Sequence, residues 1–215
     1  MFPLYDDNPT RHTPVMTYAL ITVCLVVFFY QTRLDEPGLK LFIQTWALIP
    51  QELFADFHRE MMTLVSSQFL HGSLWHLVGN MWFLWLFGNN LEDVLGRWVF
   101  LFFYLCCGGL AALVYAVVIP ASGIPLIGAS GAIAGVMGGY IVRFPQAHIH
   151  TLLIVVIFFT IVRIPAVLYL GFWILWETLR AATVSPGQPG IAYLAHVVGF
   201  LAGVIALPWL PERQD

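Results

Sequence analysis

Charged residues are scarce in this sequence, and that scarcity defines the class of protein. Only 10% of the 215 residues are Asp, Glu, Lys or Arg, whereas 60% are hydrophobic and the mean hydropathy is +0.82. Soluble domains carry roughly 25% charged residues. The composition therefore predicts an integral membrane protein, with the lipid bilayer as its main surroundings.

Clustered basic residues and paired cysteines are also missing. Nine Lys and Arg against twelve Asp and Glu give a formal net charge of -3, and no basic run occurs. Phosphate binding needs grouped Lys and Arg, so a nucleic-acid partner is excluded. Cys24, Cys106 and Cys107 lie in apolar stretches without disulfide or metal-ligand spacing, which favours packing. No cofactor and no metal are expected.

The length of the chain limits the number of membrane spans. At about 20 apolar residues per span there is room for roughly six helices and almost nothing else. We therefore expect an all-α, polytopic six-transmembrane-helix bundle, with one membrane domain over residues 15–210. The predicted remainder is an N-terminal tail at 1–14, which lacks a signal-peptide cleavage site, and a C-terminal tail at 211–215.

Charges, prolines and glycines divide the apolar stretches into spans. The predicted spans are 15–30, 73–91, two within the uncharged segment 98–142, then 164–177 and 191–210. The stretch IPASGIPLIG separates the third span from the fourth, which begins near Ser130. Residues 32–67 are too apolar for a linker and too interrupted to span, so they are predicted to lie in the membrane interface.

Four polar side chains are predicted to share one depth in the membrane. In a six-span protein the even-numbered helices run parallel, and His76, Asn80, Ser130 and His196 all lie near the starts of these helices. A lone intramembrane His or Ser can simply be a packing residue. Three helices that bring such groups to one level instead indicate a functional site.

Small residues give a reason for two of these helices to meet. Glycines recur every four residues, at Gly131, Gly135 and Gly139 in the fourth span and at Gly199 and Gly203 in the sixth. Such faces let helix backbones approach closely. If the two faces pack together, Ser130 and His196 come within hydrogen-bonding range.

A serine beside a histidine points to nucleophilic catalysis. A hydroxyl attacks efficiently only when a base takes its proton, and neutral histidine is the usual base. Glu92, Asp93 and Glu177 are assigned to other depths or to helix ends, so the sequence predicts a Ser-His dyad rather than a triad.

The same pattern supplies donors for the oxyanion that forms when a serine attacks an amide. His76 and Asn80 are an i, i+4 pair on one helical face, and both can donate. The backbone N–H of Ser130, at a helix N-terminus, can add a third hydrogen bond.

These residues resemble a known family. GASG at 128–131, HGSLWHLVGNM at 71–81 and AHVVGFLAG at 195–203 are similar to the three signature regions of the rhomboid intramembrane serine proteases, and LEDVLG at 91–96 resembles the family's segment after its second helix. The resemblance covers about residues 15–210. It implies Ser130 as nucleophile, His196 as general base, His76 and Asn80 as oxyanion residues, and a structural role for His71.

The resemblance also implies a substrate class and a cavity. Substrates would be single-span membrane proteins cut in or near the membrane, from a water-filled cavity open to the outer side and capped by a mobile loop, which SPGQPG at 185–190 could supply. Because no targeting segment is evident in the sequence, we expect a bacterial plasma membrane. One departure is Ala134, where some members carry an aromatic ring that stacks on the catalytic histidine.

Three alternatives remain open at this stage. A proteolytically inactive relative could bind membrane proteins in quality control, although both Ser130 and His196 are present. A transporter would explain intramembrane His and Asn, but it predicts internal repeats, which the sequence does not show convincingly. A metal site on His71, His76 and His196 would leave the serine idle, and i, i+5 spacing suits one helical face poorly.

Overall fold

The computed structural model describes residues 2–155, 158–183 and 192–213, most of which are helical. The ten α-helices of these residues are Val15–Gln31 (α1), Glu36–Trp46 (α2), Pro50–Ala55 (α3), Phe57–Glu60 (α4), Thr63–Ser66 (α5), Leu74–Leu95 (α6), Arg97–Val118 (α7), Ser130–Arg143 (α8), Ala166–Thr183 (α9) and Ala192–Ala206 (α10). Short 3-10 turns follow α5 at Ser67–Phe69 and α10 at Leu207–Trp209.

Several predicted helix boundaries agree with the structure. The first, second and fourth predicted spans begin at residues 15, 73 and 130, and α1, α6 and α8 begin at Val15, Leu74 and Ser130. The break predicted at 119–128 separates α7 from α8. The connection over 32–67 contains the four short helices α2 to α5.

Among the described residues, one helix is both long enough and apolar enough to cross a membrane. That helix is Arg97–Val118, whereas Val15–Gln31 and Tyr193–Trp209 are apolar but shorter. Six spans therefore stay a prediction.

The all-α prediction is wrong for one part of the chain. Phe2–Asp6 (β1), His148–Val155 (β2) and Phe158–Pro165 (β3) form an antiparallel sheet in the order β1-β2-β3. The segment 148–165 is rich in β-branched and aromatic residues, which favour strands, and its apolar character alone resembles a membrane span. The fifth long helix accordingly begins at Ala166 rather than at 164.

The segment predicted as an N-terminal tail is tied to the helices. Strand β1 pairs with β2, and the indole Nε1 of Trp82 in α6 donates to the carbonyl of Pro3 at 2.7 Å. The hydroxyl of Tyr140 donates to Asp6, and the Asn8 amide donates to the same hydroxyl at 3.2 Å. Residues 2–8 therefore belong to the folded unit.

Helix α8 lies at the centre of the molecule. Every residue from Ala132 to Tyr140 is buried, and α8 packs against α6, α7, α9 and α10. Phe87, Phe100 and Tyr104 are fully buried in the same core. Ser130 is thus the first residue of a helix that its neighbours hold on all sides.

Helices α8 and α10 pack through their backbones, as the glycine pattern predicted. Cβ atoms built on Gly199 and Gly203 would overlap the carbonyl oxygens of Gly131 and Gly135, respectively. The paired numbers increase together, so the two helices run parallel. Further along α8, Gly138 rather than the predicted Gly139 faces α10, where it approaches the backbone of Phe200.

Candidate active site

A tight turn before α8 places Ser130 beside α6. Gly128 has a φ of +122°, a conformation that side chains with a Cβ rarely adopt, and its N–H donates to the carbonyl of Ser67 at 2.9 Å. A Cβ on Gly128 would lie 2.7 Å from Cε1 of His76. Glycine at this position therefore allows close approach of the turn to the His76 ring.

Ser130 and His196 are in direct contact. The Oγ of Ser130 lies 2.8 Å from Nε2 of His196, which is the distance of a normal hydrogen bond. The glycine packing of α8 against α10 allows this contact, because it brings the starts of both helices together. The arrangement lets the imidazole accept the hydroxyl proton.

The carboxylate of Glu177 joins this pair. Oε2 of Glu177 in α9 lies 2.6 Å from Nδ1 of His196, and Glu177 is only 8% exposed. The expectation that no carboxylate lies at this depth is therefore wrong. The predicted span ended at Glu177, whereas α9 continues to Thr183, so Glu177 lies within the helix rather than at its end.

The sequence carried a signal that could have identified Glu177. It is the one carboxylate of α9 and follows eleven uncharged, mostly apolar residues at 166–176, and a buried charge requires a partner. Trp173 lies one turn earlier on α9, and its ring stacks on the His196 ring with centroids 6.1 Å apart and an interplanar angle of 30°. The aromatic ring that is missing at Ala134 is thus supplied from another helix.

His76 and Asn80 of α6 belong to the same site as Ser130. Both line one cavity with Ser130 and His196. The side-chain nitrogen Nδ2 of Asn80 is buried and has no hydrogen-bond partner among the described residues. Buried donors are nearly always satisfied, so an unpaired one on a side chain that lines a cavity is available to a bound group.

The cavity has a volume of about 270 Å³, close to the lower limit of ligand pockets at roughly 300 Å³. Its other walls are mainly apolar, and Glu177 also lines it; the remaining lining residues are Trp75, Gly79, Phe83, Ile133, Met137 and Trp173. A cavity of this size admits a short stretch of chain rather than an intact helix. A larger cavity, of about 630 Å³, lies among α2 to α5 and contains none of these polar groups.

Two other predicted features have different outcomes. His71 is buried, and its backbone exchanges two hydrogen bonds of 3.2 Å with the Gln31 side chain, which ties α1 to the segment before α6. These contacts agree with a structural role. The predicted cap SPGQPG, at 185–190, lies outside the described residues.

Comparisons with known proteins identify similar sequences. A family model described as "Rhomboid domain" matches residues 58–212. Rhomboid protein 1, mitochondrial, from Saccharomyces cerevisiae is 29% identical over 206 residues, which cover 90% of this chain and 53% of the yeast protein. Rhomboid-like protein 11, chloroplastic, from Arabidopsis thaliana is 30% identical over 159 residues, or 69% of this chain and 52% of the plant protein.

A third relative matches a shorter part of the chain. Presenilin-associated rhomboid-like protein A, mitochondrial, from Danio rerio is 37% identical over 101 residues, which cover 46% of this chain. The match covers 26% of the zebrafish protein. This chain therefore spans about half the length of the yeast and plant relatives and about a quarter of the zebrafish one.

Proposed function

The chain belongs to the rhomboid family, and we propose that it is a serine endopeptidase that cleaves single-span membrane proteins in or near the bilayer. The observation that carries this proposal is the 2.8 Å contact between Ser130 Oγ and His196 Nε2 at the wall of a cavity. A nucleophile and its base within hydrogen-bond reach are the requirement for acyl transfer. Because the chain spans only part of its relatives, their activities do not decide this question.

The proposed reaction has two steps. Ser130 Oγ attacks the scissile carbonyl carbon while its proton passes to Nε2 of His196, which then protonates the leaving amine. A water molecule next attacks the acyl-enzyme and gives a proton to His196; the bond from the acyl carbon to Ser130 Oγ then breaks, His196 returns the proton to Oγ, and the new carboxyl terminus is released. Hydrogen bonds from His76, Asn80 and the backbone N–H of Ser130 would stabilise the oxyanion in both steps.

The proposed setting is a membrane, with α1, α6, α7, α8, α9 and α10 as the six spans. Large apolar side chains on α7, among them Trp98, Phe102 and Val117, are more than half exposed. A soluble monomer rarely exposes so many large apolar groups on one helix, whereas lipid solvates them. Their exposure supports the lipid bilayer as a partner.

The location within a cell is a separate proposal. The relatives described above are mitochondrial or chloroplastic proteins by name, and none supports the expected bacterial plasma membrane. We favour a mitochondrial membrane. Expression of the tagged chain in yeast should give a mitochondrial band that resists carbonate extraction, and recovery in another membrane would contradict this location.

Covalent labelling tests the proposed activity. A fluorophosphonate probe on the detergent-solubilised protein should modify Ser130, and Ser130→Ala and His196→Ala should abolish both the label and cleavage of a single-span substrate. Ser122→Ala is the matched control, because Ser122 lies in the loop before α8 and accepts a hydrogen bond from the Ile124 N–H. Label that persists in Ser130→Ala would overturn the assignment. Substrate binding without label or cleavage would support an inactive binding protein instead.

A further inference from the structure

The carboxylate of Glu177 limits what the His196 ring can do. An ionised carboxylate only accepts hydrogen bonds, so at 2.6 Å it requires a proton on Nδ1 of His196. A neutral imidazole with its proton on Nδ1 has its lone pair on Nε2, which faces Ser130 Oγ at 2.8 Å. Glu177 therefore selects the tautomer in which His196 can act as base.

From this geometry we propose that Glu177 is a positioning residue for His196, so that Ser130, His196 and Glu177 act as a triad rather than a dyad. The inference rests on the proposed proteolytic function. Glu177 does not contact the reacting atoms; it acts through the orientation, tautomer and charge of the imidazole. Once His196 has taken the serine proton, the carboxylate faces the imidazolium and stabilises it.

Helix α9 holds the imidazole at two places. Glu177 binds the ring edge at Nδ1, and Trp173, four residues earlier, covers a ring face. The basic residue of α9, Arg180, instead contacts the rings of Trp176 and Tyr193. His196 is thus the hydrogen-bonded partner of Glu177, and the orientation of the base depends on the position of α9.

Burial explains why this contact should matter. The side chains of Glu177 and His196 are 10% and 18% exposed, so water screens their interaction only partly. A buried carboxylate in an apolar helix is costly unless it has a hydrogen-bonded partner. If Glu177 were needed only for packing, an apolar residue of similar size would fill the same space without the cost of burying a carboxylate.

Four variants separate charge from packing. Glu177→Gln keeps the shape but removes the charge, Glu177→Leu removes the hydrogen bond, and Glu177→Asp keeps the charge on a shorter side chain. We expect kcat on one reconstituted single-span substrate to fall on the order of 100-fold or more in Glu177→Gln, with KM within about twofold. Glu177→Asp should be faster than Glu177→Gln, and Glu177→Leu the slowest. Trp173→Leu should give a smaller loss.

Glu92→Gln is the matched control, because it makes the same change at another buried carboxylate. Glu92 lies on α6 and hydrogen-bonds to the first turn of α1, away from His196. Its kcat per folded molecule should stay within about twofold of the unchanged protein, although its stability falls. Equal kcat in Glu177→Gln and Glu92→Gln would overturn the positioning role.

A spectroscopic measurement keeps the proposal testable without turnover. In the unsubstituted protein, ¹⁵N NMR of the imidazole, assigned with His196→Gln, should report a proton on Nδ1, and Glu177→Leu should increase the Nε2–H form. An Nε2–H tautomer in the unsubstituted protein would overturn the proposal even if a Glu177 variant fails to fold. If the unsubstituted protein neither binds the probe nor cleaves substrate, the proposed function fails, whereas the tautomer still decides whether Glu177 positions His196.

Discussion

Gly199 of α10 lies so close to Gly131 of α8 that a Cβ on Gly199 would be 2.0 Å from the Gly131 carbonyl oxygen. The obstacle is backbone rather than a movable side chain, so no rotamer change can relieve it. Because Ser130 and His196 stand next to this contact, the separation of α8 and α10 sets their distance.

Gly199→Ala should therefore destabilise the protein and also impair catalysis. Overpacking in a close-packed core costs about 1 to 3 kcal/mol, and a methyl group opposed by backbone belongs at the upper end of that range or beyond. Displacement of α10 would lengthen the contact between Ser130 and His196. Thermal unfolding in detergent and the rate of fluorophosphonate labelling measure the two effects.

Gly171→Ala provides the control for this change. Gly171 lies in α9, and a Cβ there would meet no heavy atom within 4 Å. The substitution should leave stability unchanged or raise it by roughly 0.5 to 1 kcal/mol, because alanine favours a helix interior. If Gly199→Ala behaves like Gly171→Ala, the close approach of the two helices is not required.

Glu92 connects two helices at the opposite end of the bundle. Its carboxylate accepts hydrogen bonds from the N–H groups of Met16 and Thr17 at 2.9 and 2.7 Å and from the Thr17 hydroxyl at 2.9 Å. These N–H groups lie in the first turn of α1, which Pro14 cannot cap with its own side chain. The carboxylate of α6 therefore caps α1.

Glu92→Gln should lower the free energy of unfolding. Three donors point at the carboxylate, and an amide offers one oxygen and an additional donor, so at least one of these donors loses its acceptor. The expected loss is about 1 to 3 kcal/mol. Glu212→Gln, which affects an exposed ion pair with Arg143, should change stability by less than about 1 kcal/mol. Equal melting temperatures for the two variants would contradict the capping role.

Asp6 makes the stability of the sheet region depend on pH. Burial raises the pKa of Asp6 from 3.8 to about 6, although the hydrogen bond from Tyr140 acts in the opposite direction. The folded protein therefore binds this proton more tightly than the unfolded chain. The corresponding stabilisation is complete below pH 3.8 and is lost as the pH rises through about 6.

Asp6→Asn should remove this dependence, because asparagine stays neutral. The stability of the variant relative to the unsubstituted protein should rise between pH 4 and pH 7, by on the order of 1 to 3 kcal/mol. Melting temperatures across this range in one detergent give the comparison.

Asp7→Asn should change the pH dependence of stability in the opposite direction to Asp6→Asn. Burial acts to raise the pKa of Asp7, but hydrogen bonds from the backbone and ring of His148 outweigh it and lower the pKa. The stabilisation from Asp7 is thus complete above the ordinary pKa of 3.8. It is lost as the pH falls through the lowered pKa of the folded protein. Relative to the unsubstituted protein, Asp7→Asn should become less stable as the pH rises. Parallel pH profiles for the two variants would refute both assignments.

Sequence reasoning succeeded where a local pattern had a single physical meaning. Gly and Pro in IPASGIPLIG could only interrupt a helix, and glycines every four residues on two helices allowed a backbone contact next to Ser130 and His196. The structure has both features. The catalytic roles of the residues stay predictions.

Sequence reasoning failed where one amino-acid composition is compatible with two secondary structures. Residues 148–165 are apolar enough for a membrane helix but also rich in strand-favouring residues, and pairing with β1, more than 140 residues earlier, decides between them. The partner of Glu177 was missed for a related reason. The predicted span ended at Glu177, whereas α9 ends at Thr183. The prediction therefore placed the Glu177 carboxylate at the end of a helix and away from the depth of His196.

The final prediction concerns His76 and Asn80, the proposed oxyanion donors. Asn80→Ala and His76→Ala should each lower kcat by about 100- to 1,000-fold, which corresponds to roughly 2.7 to 4 kcal/mol, without abolishing cleavage. The serine, its base and the Ser130 backbone N–H all remain in these variants. The loss should affect kcat more than KM, since the oxyanion exists only after attack. His76→Ala should have the larger effect, because its ring also packs against the turn at Gly128.

Steady-state kinetics on one reconstituted substrate, with thermal unfolding in parallel, separate this role from a structural one. Asn89→Ala is a suitable control on the same helix, because Asn89 lies more than two turns beyond Asn80 and its side chain accepts a hydrogen bond from the neighbouring Asn90 N–H. It should keep the kcat of the unsubstituted protein. Normal turnover in both Asn80→Ala and His76→Ala would exclude the oxyanion role. A loss of turnover that follows unfolding would assign the two residues to packing, and the free Nδ2 of Asn80 would then need another partner.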